Sequence, residues 1–337
     1  MRPSRTKAEV PADTLVLVGD VGGTNCRLAI ASRAPGADWS FSRARTYRDD
    51  DFQTFDDAVS AYLRQERVSV SGAVIAVAGP IEEGSVTMTN HRWRISERQL
   101  AVTLGGASRC RLINDFEALA RALPALTAAD LLPLGAARAV PPRATLAALG
   151  AGTGLGVAAL VRNGAHEAVL VGEGGHIAFA PQTDLELEIW RRLARDQSGY
   201  VSVEHVLSGA GLVRLHRALC EVGGKRPTFT APDAITAAAA AGDEQAIVVA
   251  DLFVQIFGSV AGDIALVYGA RGGVFVAGGV SQRLLTSRAA AAFRARFEAK
   301  GDFSRYLTGI PTYTILHPQP GLLGVAQALA DPAILGQ

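Results

Sequence analysis

The strongest periodic signal lies between Asp243 and Tyr268, where Val249, Leu252, Phe253, Ile256, Phe257, Val260, Ile264 and Val267 recur at three- and four-residue spacing. That spacing predicts one long helix with a single buried face. Leu185, Ile189 and Leu193 repeat the pattern and predict a helix over 184–195, and a further helix is expected over about 52–67. Short apolar runs without helical period predict strands at 14–19, 26–32, 41–47, 72–78, 109–114, 145–150, 157–162, 168–172, 273–277 and 312–316. The run 72–78 is almost wholly apolar, as in a strand buried on both faces, and Pro80 stops it. Residues 85–90 resemble an edge hairpin. Ser96 with Gln99 three positions on signals the start of a short helix, and 115–122 follows its strand directly as another. The alanine run 237–241 reads as helical, and 321–330 as a terminal helix.

The pattern restarts halfway. GDVGGT (19–24) and GAGTGLG (150–156) each fill a glycine-rich turn between the first two strands of a half, and Pro124 and the Pro141–Pro142 pair punctuate the segment between. A duplicated α/β domain follows. Residues 144–161 carry no charge over 18 positions, the lower limit of a membrane span, but Gly150, Gly152, Gly154 and Gly156 stand at every second position and favour two strands around a turn.

Composition narrows the class. At 337 residues the chain is expected to form about two domains, and 49% hydrophobic residues supply sizeable cores. The 33 Lys and Arg against 32 Asp and Glu give no imbalance that points to nucleic acid or an anionic membrane. Cys26, Cys110 and Cys220 are too far apart for a zinc knuckle or a disulfide framework, so no zinc is expected and a reducing cytoplasm fits best. Arg2, Arg5 and Lys7 precede an apolar run too short for a signal peptide, so residues 1–13 read as a loose tail.

Tight glycine turns can converge backbone N–H groups on phosphates. Neither turn matches a Walker A loop or the dinucleotide fingerprint, and Gly278-Gly279 after a buried strand adds a third glycine segment. Asp20 beside bound phosphates implies an intervening Mg²⁺, although an Asp in a turn can equally satisfy local backbone donors. Thr24 and Thr153 place hydroxyls in the turns, where either could instead tie down its hairpin. Asn114 and Asp115 stand where a strand ends and a helix starts, the usual place for ligand-facing groups in α/β proteins. Asp115 is either the helix cap or a general base for an attacking hydroxyl, with Asn114 positioning the same substrate. Glu173 and His176, spaced by two glycines in GEGGH (172–176), suit a sugar that both donates and accepts hydrogen bonds; a structural histidine is the alternative. Glu204 is either a ligand group or a buried cap.

Together LVGDVGGTN (17–25), MTNH (88–91), LINDFEALA (112–120), GAGTGLGVA (150–158), GEGGH (172–176), SVEHVLSGAGL (202–212), GGVFVAGGV (272–280) and PGLLG (320–324) resemble the bacterial glucokinases that lack a zinc motif, within the hexokinase and actin-like ATPase superfamily. The resemblance implies two ribonuclease-H-like domains with a cleft between them: a small α/β domain over 14–125 completed by 320–337, and a larger helix-rich α/β domain over 126–319. It implies ATP on Gly19, Asp20, Val21, Gly22, Gly23 and Thr24, on Gly152, Thr153 and Gly154, and near Gly278 and Gly279. D-glucose would lie among Asn114, Asp115, Glu173, His176 and Glu204, with Asp115 as catalytic base and Mg²⁺ at Asp20 through water. Ala178 departs from the pattern, since some relatives carry an acidic residue there. A cytoplasmic homodimer is the family's implication for assembly.

Several alternatives stay open on the residues alone. Another hexose (mannose, fructose or an amino sugar) or another donor (ADP or polyphosphate) would suit the same groups, and a non-catalytic sugar sensor is the rival from a different class. A repressor of the related ROK group is disfavoured, because neither its cysteine-rich motif nor an N-terminal DNA-binding domain is present.

Overall fold

The computed structural model describes residues 15–34, 37–88, 92–106, 109–136, 140–163 and 166–334; the expected tail at 1–13 and residues 89–91 of the MTNH motif lie outside these. The chain divides into two compact units, Met1–Ala125 with Pro318–Gln337, and Leu126–His317.

In the first unit β1 (Val16–Val21), β2 (Asn25–Ser32) and β3 (Ser40–Arg48) form an antiparallel meander. The chain then runs through α1 (Phe55–Glu66), whose Thr54 and Asp57 form a reciprocal cap, into β4 (Gly72–Val77), parallel to β1. A small hairpin of β5 (Ser85–Thr87) and β6 (Arg94–Ser96) precedes α2 (Glu97–Thr103), where the Gln99 N–H donates to the Ser96 hydroxyl at 3.2 Å. β7 (Arg109–Asn114) adds parallel to β4 and runs straight into α3 (Asp115–Ala122). The order β3-β2-β1-β4-β7 has one face packed on α1 through Leu17, Leu28, Ile75, Phe55 and Tyr62. Its other face packs Val16, Val18 and Val74 on the returning C-terminal helix.

The second unit opens with β8 (Leu131–Pro133), then repeats the scheme with β9 (Leu146–Ala151), β10 (Leu155–Asn163) and β11 (His166–Gly172). Four helices follow: α4 (Asp184–Asp196), α5 (Gly209–Val222), α6 (Pro232–Ala240) and α7 (Glu244–Tyr268). β12 (Gly273–Ala277) lies parallel to β9 and leads into α8 (Gly279–Leu284), α9 (Ala290–Glu298), α10 (Ser304–Thr308) and the parallel β13 (Thr312–Ile315). Finally α11 (Pro320–Ala328) returns to the first unit. The order β11-β10-β9-β12-β13-β8 repeats the first sheet and extends it by one strand, so the duplication read from the glycine turns is present in the topology.

Three expectations change. The unpredicted β8 is three residues ending in proline, too short for a periodic signal, and exists because β13 pairs with it. Val267 does not share the buried face of α7; it is 75% exposed in the last turn, while Leu266 and Tyr268 beside it still pack against the core. Strands β1 and β9 also run further than the glycines suggest, leaving turns of only 22–24 and 152–154. α7 is long and apolar enough to cross a membrane, yet 72% of its most apolar window is buried inside its own unit.

Candidate active site

In the first unit the register places Val21 level with Val77, and Val77 level with Asn114. The first glycine turn and the Asn114–Asp115 pair therefore stand at the same edge, beyond the carboxyl ends of three parallel strands and about 10 Å apart at two strand spacings. Gly22, Gly23 and Thr24 form the turn itself, with the Gly22 N–H donating to Asn25 O at 3.0 Å. Gly19, Asp20 and Val21 belong to β1 and not to the turn, a correction to the expected span 19–24. Gly19 faces the interior, where a Cβ would lie 2.8 Å from Ile75 Cδ1. Asp20 faces the other way, toward α11: a Cβ on Gly321 would lie 2.6 Å from its carboxyl carbon. Gly321 is thus the residue that gives Asp20 its room, a pairing no local pattern can signal because 301 positions separate them.

Arg27, opposite Asp20 in the ladder, approaches it to 3.4 Å. Burial pushes the Asp20 carboxyl above its ordinary range, and the guanidinium pulls it part of the way back. The Asp20 side chain keeps 18% of its surface exposed. Among the described residues no group of three or more His, Cys, Asp or Glu could hold a metal by itself. Mg²⁺ keeps several waters and commonly takes one or two protein carboxylates plus substrate phosphates, so a single partly exposed carboxylate beside a phosphate-type turn fits it.

Asn114 and Asp115 divide the work at the start of α3. Asn114 Oδ1 accepts from the N–H groups of Phe116 at 2.8 Å and Glu117 at 3.3 Å, so Asn114 is the cap. The capping role considered for Asp115 thus falls mainly to its neighbour, although Asp115 Oδ1 also accepts from Phe116 N–H at 3.0 Å. Both residues remain half-buried.

The second glycine turn is shorter and more tightly held. Ala151 pairs with Leu155, so three residues connect the strands, where Val21 pairs with Cys26 across four. Gly150 lies inside β9, and a Cβ there would meet the Ala277 carbonyl oxygen at 2.4 Å. The Ala151 N–H donates to Ser281 Oγ on α8 at 2.8 Å, and the Gly209 N–H at the start of α5 donates to Gly152 O at 2.8 Å. Gly278 has φ of +88° and a backbone so close to Ala151 that a Cβ would sit 2.4 Å from its oxygen. Gly152 and Gly279 face open space, so Gly152, Thr153, Gly154, Gly278 and Gly279 are gathered in one region of this unit. Ser281 and Gly209 were not singled out from the sequence; Ser208, whose hydroxyl accepts from Gly211 N–H at 3.0 Å, is the N-cap signal that would have marked α5.

Glu204 does two things at once. Its Oε2 accepts from the Leu155 N–H at 2.8 Å, closing the second turn from below, while its own N–H donates to Gly175 O at 2.8 Å. Gly175 in turn lies against Leu155, where a Cβ would come within 2.2 Å of the carbonyl oxygen. This triangle fastens the GEGGH segment to the glycine turn. Glu173 and His176 flank Gly174–Gly175 on the exposed side, with the His176 carbonyl held by Tyr200 Oη at 2.5 Å. Nearby His205 titrates below its ordinary range through burial first, with Arg214 and His176 adding to the effect and Glu204 opposing it.

Two sheets of one duplicated order, each with a glycine turn after the first strand of its meander, are the architecture of the sugar kinases with the actin-like ATPase fold. A structure of glucokinase from an Antarctic psychrotroph matches with a TM-score of 0.80 and 33% identity, covering 94% of this chain and 99% of that one. The fold is also that of a ROK family glucokinase from Streptomyces griseus in complex with glucose and AMPPNP, at a TM-score of 0.60 and 20% identity over 93% of this chain and 98% of that one. The glucokinase of Caulobacter sp. (strain K31) is 44% identical over 94% of this chain and 95% of its own length. The family model for glucokinase matches residues 17–332, and the chain belongs to the glucokinase family.

Proposed function

We propose that the protein transfers the γ-phosphoryl group of ATP to the 6-hydroxyl of D-glucose, giving glucose 6-phosphate and ADP. The observation that carries this reading is the Asn114–Asp115 pair at the same sheet edge as the first glycine turn, a carboxylate beside a phosphate-type cradle. Family membership and the glucose and AMPPNP of the Streptomyces griseus protein support it, AMPPNP being an imido analogue of ATP.

In this reading the N–H groups of Gly23 and Thr24 and of Thr153 and Gly154 hold phosphate oxygens, since those of Gly22 and Gly152 already donate within their turns, and Gly278 and Gly279 lie beside the nucleoside. Asp20 would hold Mg²⁺ through water, and the ion would supply charge neutralisation on the phosphates. Asp115 takes the proton from the 6-hydroxyl as that oxygen attacks phosphorus; one of its oxygens accepts from Phe116 N–H, which orients the carboxylate. Asn114 spends its carbonyl oxygen on the helix cap, so its amide N–H₂ is the group that donates to the sugar. Glu173, His176 and the second oxygen of Glu204 complete the sugar contacts with acceptors and a donor. Little covalent help is needed for phosphoryl transfer, so positioning and charge stabilisation account for the rate. A cytoplasmic homodimer is proposed with the same reading.

The test is turnover by the purified protein with Mg-ATP across a panel of glucose, mannose, fructose and glucosamine, with ADP and polyphosphate as alternative donors. Glucose is expected to give the highest kcat/KM with ATP. A higher value for another hexose would reassign the substrate, and sugar binding without turnover on any donor would favour a sensor.

A further inference from the structure

We propose that Ser281 is a positioning residue for the nucleotide: its hydroxyl fixes the second glycine turn to the start of α8, so that the two glycine segments of this unit behave as one piece. The inference rests on the kinase reading and extends it to a residue outside the expected ligand set. β12 ends at Ala277, level with Gly150, and Gly278 then turns away with φ of +88°. The ladder therefore offers no carbonyl to the next amide of β9. Ser281 supplies the acceptor, 130 positions away in sequence and 0% exposed, at 2.8 Å from Ala151 N.

A buried N–H stripped of its acceptor is costly, so removing the hydroxyl leaves either an orphaned amide or a displaced turn. Displacement is restricted on the other flank, where Leu155 N–H is held by Glu204 and Gly152 O by Gly209 N–H. The change falls on Ala151–Gly152 and on Gly278, whose backbone leaves no slack against Ala151 O. These are the segments assigned to phosphate and nucleoside. Glu173 and His176 are fastened at the opposite flank of the turn, through Gly175 and Glu204 to Leu155, so sugar recognition should respond far less than nucleotide binding.

The experiment compares wild type with Ser281→Ala, Ser281→Cys, which keeps the size but accepts poorly, and Ser281→Thr, which keeps the hydroxyl. Ala and Cys should raise the KM for ATP and the Kd for ADP roughly tenfold, with kcat and the KM for glucose within about twofold of wild type, and Thr should restore most of the loss. A lower melting temperature with unchanged nucleotide constants would overturn the proposal, as would parallel rises in both KM values. If the variants fold poorly, hydrogen exchange at the Ala151 amide of wild type decides: protection at the level of the β9 interior is expected, and exchange as fast as an exposed turn overturns it. ADP binding keeps the two readings apart. A wild type that binds ADP but phosphorylates no hexose defeats the kinase reading while the Ser281 comparison on ADP still stands or falls by itself.

Discussion

The two glycine turns occupy the same slot in a duplicated sheet and are secured by different means. Around the first, the fastenings are main-chain ones: Gly22 N–H to Asn25 O at 3.0 Å, Asp49 N–H to Thr24 O at 3.1 Å and Ala78 N–H to Val21 O at 3.2 Å. Around the second, main-chain bonds from Gly152 N–H to Gly154 O at 2.9 Å and from Gly209 N–H to Gly152 O at 2.8 Å are joined by side chains, with Ser281 and Glu204 holding the flanking amides of Ala151 and Leu155. Two positions before each turn stands Asp20 in one unit and Gly150 in the other. Asp20 has space because Gly321 lacks a side chain, whereas any side chain at Gly150 would strike Ala277 O at 2.4 Å. Duplication thus preserved the strand order while the halves diverged in content. The first has carboxylates at Asp20 and Asp115 beside its turn, and the second has a turn braced by the Ser281 hydroxyl and the Glu204 carboxylate.

The largest expected effect assigns the chemistry to the first unit. Asp115→Asn should lower kcat about 10²- to 10⁴-fold while leaving ADP affinity near wild type, measured by turnover and calorimetry. Near-normal turnover would remove the proton-accepting role and with it the division of labour. Next comes a matched pair. Gly150→Ala should cost about 2 kcal/mol in denaturant unfolding because the obstruction is backbone, and Gly19→Ala less than about 1 because Ile75 Cδ1 can move aside. The reverse order would break the comparison.

A smaller effect separates the two roles of Glu204. Glu204→Gln keeps an acceptor for Leu155 N–H, so the melting temperature should change little while the KM for glucose rises roughly tenfold; Glu204→Ala should lower both stability and sugar affinity. The smallest concerns acid. Among the described residues all histidines lie in the second unit, and His216 is the fully buried one, with Nε2 accepting from Thr228 and Phe229 N–H at 3.1 Å each. Burial holds its pKa below the ordinary 6.5, with Asp243 opposing. The unfolded chain therefore takes up the proton first as pH falls below about 6.5, and stability present above that value is lost in acid. His216→Leu should flatten the acid arm of a melting-temperature profile by a few degrees at most. An unchanged slope would place the acid sensitivity elsewhere.

Much of the fold was legible because the signals were local. β7, α3 and β12 lie where apolar runs and helix starts indicated, and α7 follows its stripe except at Val267. What stayed hidden depends on distant partners. β8 needs β13, the true extent of β1 and β9 needs their ladders, and the room at Asp20 needs Gly321. At the site, residue types and glycine spacing marked most of the groups that share an edge or a turn. They could not reveal that Asn114 is spent on a cap, or that Glu204 and Ser281 brace the second turn.

Glucose-dependent phosphoryl transfer is tested most directly by following ADP and glucose 6-phosphate together in one reaction of purified protein and Mg-ATP, first without glucose and then with it. The expected result is almost no ADP until glucose is added, then equal amounts of ADP and glucose 6-phosphate. ADP formed at the same rate in both phases, or formed without the sugar phosphate, would contradict it.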